Sequence, residues 1–249
     1  MLEIRGLVKD FEGFVAIGGV DFDLDEGAVH AIIGPNGAGK TTFFNLITGH
    51  LNPSRGSVAF EGRTITGMAP HKIVKLGMAR SFQRINIYPR MTVFENVQVA
   101  LMARDNQQLR MFRLGALMNR DETIELLHLV GLDQEAFETA GELAYGKQKQ
   151  LELAISLAAN PRLLLLDEPT AGMSPQETTE AMGLINEITK ARNLTLLFTE
   201  HDMNVVFGIA ERISVLHHGE IIASGLPDEV RVDAEVRRIY LGEDDHAAA

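Results

Sequence analysis

Nine consecutive residues, GPNGAGKTT from Gly34 to Thr42, satisfy the pattern G-x-x-x-x-G-K-[ST] through Gly34, Gly39, Lys40 and Thr41. Glycine at the two fixed positions lets the backbone curl without Cβ clashes, so successive N–H groups turn inward toward phosphate oxygens. The segment that follows, FFNLITG, reads as a helix whose positive end adds to that field. Lys40 is placed to reach the β- and γ-phosphates, and the Thr41 hydroxyl to hold Mg²⁺. Pro35, Asn36, Gly37, Ala38 and Thr42 complete the loop. A glycine-rich turn with no ligand is the plainer alternative, but the strand before the motif and the apolar helix after it are the context a phosphate cradle needs.

A second constellation stands at the end of the apolar run LLLL, where Asp167 and Glu168 are adjacent and Pro169 follows. Two carboxylates beside a buried strand carry a heavy desolvation cost unless a cation or water meets them. Asp167 suits a Mg²⁺ ligand acting through water, and Glu168 a base that polarises the water attacking a γ-phosphate. The bland reading is an acidic first turn of a helix.

The elements around these motifs can be read from apolar spacing. Strand signals fill the first third: LEIRGLV (2 to 8), VDFDLD (20 to 25), AVHAII (28 to 33) and GSVAFEG (56 to 62), separated by Gly, Asp, Asn and Pro. From Thr92 the period changes, with Val93, Phe94, Val97, Leu101 and Met102 on one helical face and Thr92 with Glu95 as a capping box. Helical spacing continues through 122 to 130 and 150 to 159. The run 162 to 166 predicts a buried parallel strand, followed by a helix over 175 to 191 with Ser174 as N-cap, Pro175 at N1 and Glu177 at N3. Strands at 195 to 200, 213 to 218 and 220 to 225, with a helix around 205 to 210, complete a mainly parallel α/β sheet. EDDHAAA at the end has little to bury and is expected to be disordered.

Composition narrows the classes. Apolar residues at 45% and charged residues at 23% of 249 are ordinary globular values, enough for one large α/β domain or two small ones. No cysteine is present, which excludes a disulfide-stapled secreted protein and thiolate metal sites. The net charge of −11 offers no general field for a nucleic-acid backbone. No apolar run approaches the roughly 20 residues needed to cross a bilayer, and MLEIRGLVKD lacks signal-peptide blocks. The expectation is a soluble, cytoplasmic chain that can still dock on a membrane protein.

The order of motifs resembles the ATP-binding subunits of ABC transporters over almost the whole chain. The residues that carry the resemblance are the cradle, Gln83 in ARSFQ, LAYGKQ at 143 to 148, LLLLDEPT, and His201 in FTEHD. GPNGAGKTTFFNLITG, ARSFQ, LAYGKQ, DEPTAGMSP and TEHDM look most like the branched-chain amino-acid importer subgroup. The resemblance implies a P-loop NTPase (RecA-like) core with an antiparallel β subdomain and an inserted α-helical subdomain. It places the core at 1–88 and 155–249 and the helical block at 89–154.

It also implies roles. The family's signature L-S-G-G-Q, which caps ATP bound in a partner's cradle, corresponds here to Leu143, Ala144, Tyr145, Gly146 and Lys147. Ala144 lacks the family's hydroxyl, which leaves backbone N–H groups and a helix dipole to meet the phosphate, with Lys147 adding charge nearby. Gln83 is expected to sense Mg²⁺ or the attacking water, and His201 to contact the γ-phosphate. Phe11 is the expected adenine-stacking aromatic, with Phe14 as substitute.

The implied assembly is a pair of ATP-binding subunits, identical or sister chains, on two membrane permease subunits. A solute-binding protein acts indirectly, and the chain sits on the cytoplasmic face of the inner membrane. Arg84 to Met91 and the helical block would carry motion to the permeases. The Arg-dotted stretch 103 to 120 reads as a solvated face or a contact with permease or lipid headgroups. His217 and His218 show no metal-ligand spacing. The rival readings are an exporter or lipid-extracting ATPase and a soluble ABC-type ATPase acting on nucleic acid or the ribosome.

Overall fold

The computed structural model describes residues 1–81, 85–105 and 119–241. Two compact units emerge, one of 1–73 with 195–249 and one of 74–194. The first unit opens with β1 (Leu2–Phe11), β2 (Phe14–Leu24), β3 (Val29–Ile33), α1 (Lys40–Ile47), β4 (Arg55–Phe60), β5 (Arg63–Thr64) and α2 (Pro70–Lys75). The second contains β6 (Met78–Arg80), α3 (Val93–Arg104), α4 (Arg120–Leu129), α5 (Tyr145–Ala158), β7 (Leu163–Asp167) and α6 (Pro175–Ala191). The chain then returns to the first unit with β8 (Thr195–Thr199), α7 (Met203–Ile209), β9 (Arg212–His217), β10 (Glu220–Gly225), α8 (Pro227–Val232) and α9 (Ala234–Leu241).

In the first unit an antiparallel sheet runs β2-β1-β4-β5. A second layer sets β3 between parallel neighbours β8 and β9, with β10 antiparallel to β9. β3 and β8 are buried along their whole length, as two-sided coverage of a parallel strand requires. The first strands run longer than their apolar cores: β2 begins at Phe14, six residues before the predicted VDFDLD, because pairing with β1 carries it through Gly18 and Gly19. α1 buries Phe43 and Phe44 completely, and Phe43 meets Phe22 edge-on at 5.8 Å. Those two rings anchor the end of the helix that the cradle opens.

A buried polar chain crosses the same layer. The His30 ring bonds to Ser214 Oγ at 2.9 Å, and Ser214 Oγ to Ser224 Oγ at 2.8 Å, linking β3, β9 and β10. Burial, helped by Arg212, pushes the His30 imidazole down to about 4.

In the second unit β6 and β7 pair in parallel, with Arg80 in register with Leu165. The predicted helical faces of α3, α4 and α5 pack against one another. Val93, Val97 and Leu101 are fully buried. Both expected capping boxes form, at Thr92–Glu95 and Ser174–Glu177, and α6 spans the predicted 175–191. At the end of α3, Arg104 grips Glu122 through Nη1–Oε1 at 2.5 Å and Nη2–Oε2 at 2.9 Å, and also holds Asp105. The rest of the Arg-dotted stretch, 106–118, lies outside the described residues, as does EDDHAAA.

Segment 85–91, expected to carry motion outward, is pinned to this helical block. The buried Asn96 side chain accepts from the Tyr88 N–H at 2.7 Å and donates to the carbonyls of Tyr88 at 3.1 Å and Thr92 at 2.9 Å. The N–H groups of Ala140 and Gly141 bond to the carbonyls of Met91 and Pro89.

Candidate functional site

Gly39 precedes α1 with φ 106°, a left-handed conformation that L side chains avoid. A Cβ there would stand 2.7 Å from the Ala16 carbonyl oxygen, and one on Gly34 would stand 2.1 Å from that of Leu216. Both obstacles are backbone, so the two glycines fixed by the motif are required by β2 and by the β9–β10 hairpin pressing on the loop from behind. The hairpin turn adds a bond from the Gly219 N–H to the Ala38 carbonyl at 2.9 Å. Gly37, at φ 81° with no atom within 4 Å of its would-be Cβ, lies on the open side.

Lys40 is 6% exposed and donates through Nζ to the carbonyls of Gly34 at 2.6 Å and Pro35 at 3.3 Å. The ammonium is thus folded over the loop whose N–H groups would meet a phosphate. Thr41 is exposed and Thr42 half-buried at the first turn of α1.

Phe11 and Phe14 face each other across the β1–β2 turn, where Glu12 and Gly13 both take positive φ, as a tight hairpin demands. Phe11 is 43% and Phe14 67% exposed, and Lys9 Nζ lies 4.9 Å above the Phe11 ring. Exposed ring faces at a hairpin tip suit stacking on a planar ligand. His201 follows β8 on the surface, its N–H donating to the Glu200 carboxylate at 3.2 Å.

In the second unit Asp167 ends β7, and Arg80 Nη2 donates to its Oδ2 at 2.8 Å, with side chains 5% and 1% exposed. Glu168 is 9% exposed and has φ 50°. A non-glycine residue in the left-handed region costs about 1–2 kcal/mol and persists where the surroundings over-determine it, often at active sites. Its carbonyl accepts the Ala171 N–H at 3.1 Å, turning the chain sharply after the carboxylates. Gln83 lies outside the described residues.

The signature-like stretch opens α5. Ala144 is the N-cap and makes no side-chain cap, and the first turn carries no acid. A helix end with neither a side-chain cap nor an acid favours negative charge near its N–H groups. Gly146 faces α6, its would-be Cβ 3.7 Å from Glu177 Oε1. Beside it is a cavity of about 250 Å³ lined by Ala144, Gly146, Lys147, Gln150, Met173 and Glu177 among others. Lys147 is not bare: Glu135 pairs with its ammonium and raises its pKa, so part of the expected positive field is already answered.

Thr41 and Asp167 are hard oxygen donors of the kind Mg²⁺ prefers, and Mg²⁺ is usually held by one or two protein groups plus substrate phosphates. Among the described residues no group of three or more His, Cys, Asp or Glu could hold a metal ion. Each taken by itself, Thr41 in the first unit and Asp167 in the second fit an ion that arrives with a nucleotide's phosphates. Sequence reasoning missed Arg80. Its signal was an arginine closing the short apolar segment MAR, three positions before Gln83, at a place where the buried acidic strand needs a countercharge.

Comparison with known proteins assigns the class. The ABC transporter family matches residues 17–171, and the chain belongs to it: it is an ATP-binding cassette, a nucleotide-binding ATPase subunit of a membrane transporter. A second family, described as branched-chain amino acid ATP-binding cassette transporter, matches residues 220–246.

More particularly, the chain is 39% identical to the high-affinity branched-chain amino acid transport ATP-binding protein BraF of Pseudomonas aeruginosa. It is 38% identical to its LivG counterpart in Salmonella typhimurium, in both cases over 98% of each chain. An ATP-binding cassette of an ABC transporter in its ADP conformation superposes with a TM-score of 0.86 at 31% identity, covering 97% of this chain and 98% of that one. A cassette solved as a dimer in a post-hydrolysis state with ADP and Pi superposes with a TM-score of 0.78 at 25% identity, covering 91% of this chain and 99% of that one. The fold expected from the sequence, a P-loop NTPase core with antiparallel and helical parts, is the observed one.

Proposed function

We propose that this chain hydrolyses ATP with Mg²⁺ to drive a membrane importer of branched-chain or other hydrophobic amino acids, working as one of a head-to-tail pair of cassettes. Its end-to-end likeness to BraF and LivG supports the solute class. The structural observation that carries the chemistry is Glu168, a nearly buried carboxylate in strained backbone directly after the acidic end of β7. Magnesium bound with the nucleotide would supply charge neutralisation on the phosphates.

Glu168 accepts the proton of the attacking water, and His201 donates to the γ-phosphoryl oxygens. Lys40 leaves the carbonyls of Gly34 and Pro35 to neutralise the β- and γ-phosphates. Thr41 and Asp167 would hold the metal, Gln83 would read the ion or the water, and Phe11 stacks on adenine. The backbone from Ala144 to Lys147 of the second cassette closes over the γ-phosphate, so that ATP bridges the pair and its hydrolysis releases it. The other partners are two permease subunits reached through residues 84–91 and the helical block, with a solute-binding protein acting indirectly and no nucleic acid. In this reading the chain works on the cytoplasmic face of the inner membrane.

The test is Glu168→Gln. ATP affinity should persist while hydrolysis falls by about 10²–10⁴-fold, the usual contribution of a positioned general base. Wild-type turnover in that variant would remove Glu168 from the role. For the solute, uptake of labelled leucine by vesicles holding the chain with its permeases should require ATP; ATP-driven efflux instead would favour an exporter.

A further inference from the structure

The parallel register of β6 and β7 sets Arg80 beside Leu165, and Asp167 lies two residues further along the same face of its strand. Their side chains meet there, Nη2 to Oδ2 at 2.8 Å, with almost no solvent on either. The Ser81 N–H continues the ladder to the Leu165 carbonyl at 3.0 Å before the chain enters Phe82 and Gln83. Burial works against the guanidinium charge, and Asp167 is what offsets it. An arginine stays protonated in proteins, so the carboxylate at this site has a fixed positive neighbour at all relevant pH values.

A buried pair of this kind is weak evidence for stability, because desolvation of both ions consumes most of the attraction. Its value lies in geometry. A carboxylate that must meet a metal through water needs its plane held, and groups that hold metal ligands typically contribute about 10–100-fold in metal affinity or activity. We propose that Arg80 is a positioning residue for the metal-nucleotide. It holds Asp167 by Oδ2 in one orientation, and it ties that carboxylate to the strand that leads into Gln83. This rests on the reading that Asp167 serves the metal.

The test measures the affinity of the purified chain for ADP with Mg²⁺ and with EDTA, and takes the dissociation constant in EDTA divided by that in Mg²⁺, a ratio that falls when the metal contributes less. Asp167→Asn comes first. If it leaves the ratio at the wild-type value, Asp167 does not serve the metal and both readings fall.

With Asp167→Asn lowering the ratio, Arg80→Met should lower it by about tenfold or more while the affinity in EDTA stays near wild type. Arg80→Lys, which keeps the charge but loses the planar fork, should fall between the two. A ratio at or above wild type in the folded Arg80 variants would overturn the proposal, since it would mean that the guanidinium competes with the metal or ignores it. Should Arg80→Met fail to fold, Arg80→Lys decides alone, and an unchanged ratio there sinks the proposal.

Discussion

The Tyr145 hydroxyl donates to the Ala171 carbonyl at 3.1 Å, and its ring lies 3.5 Å from where a Cβ on Gly172 would stand. The first residue of α5 is thereby tied to the loop that leaves Glu168. Ring and hydroxyl together make Tyr145 the contact between the start of α5 and that loop. Tyr145→Phe removes only an exposed hydrogen bond, and thermal stability should change by less than about 1 kcal/mol. Turnover at saturating ATP should drop about two- to fivefold with the Michaelis constant unchanged. Steady-state kinetics check it; an unaltered rate would leave the contact without a role in hydrolysis.

Phe11 and Phe14 are both exposed at one hairpin, and only one is assigned to adenine. Phe11→Ala should raise the dissociation constant for ATP by about tenfold, the worth of one aromatic stacking contact of roughly 1–1.5 kcal/mol, and Phe14→Ala should not. Fluorescent-nucleotide titration of the two variants distinguishes them. The reverse ranking would move the stacking role to Phe14.

Asn96 carries three hydrogen bonds in a buried position, and together they fix the backbone at Tyr88 and Thr92. Asn96→Leu strands those groups and should destabilise the fold by about 2–3 kcal/mol in urea denaturation. In vesicles with permeases the same variant should hydrolyse ATP with less solute moved per turnover, because segment 85–91 loses its anchor to the helical block. Unchanged coupling would show that this anchor does not carry the motion.

His30 titrates at about 4 in the fold, against 6.5 as its ordinary value. As pH falls the unfolded chain takes up the proton first, so its contribution to stability is complete above about 6.5 and is lost between there and about 4. The loss amounts to about 3 kcal/mol as an upper figure. Urea midpoints from pH 7.5 to 4 should show this decline, and His30→Leu should flatten it. An equal slope in the variant would assign the acid sensitivity elsewhere.

Much of the frame was legible because local chemistry fixes it. Ser174, Pro175 and Glu177 mark the start of α6, and the short apolar runs within 162–166 and 195–200 favour buried strands by their length. The three-residue β6 was not legible, since Met78 to Arg80 is too short to show a period; its strand character comes from pairing with β7. The cradle was readable from the spacing of Gly34, Gly39, Lys40 and Thr41 between a strand and an apolar helix. The tertiary reason for two of its glycines, the carbonyls of Ala16 and Leu216, comes from segments distant in sequence. The left-handed backbone of Glu168 and the grip of Arg80 on Asp167 likewise follow from packing that no sequence period encodes.

The central claim is that one ATP is held by two cassettes at once, in the loop 34–42 of one and the α5 start of the other. The most direct measurement is the mass in solution of the Glu168→Gln chain, with and without saturating Mg²⁺-ATP, by sedimentation or light scattering, alone and assembled with its permeases. A monomer is expected without nucleotide and a dimer with it, lost again when Gly146→Asp is added. A strictly monomeric cassette under saturating ATP in both settings, or a dimer indifferent to Gly146→Asp, would contradict it.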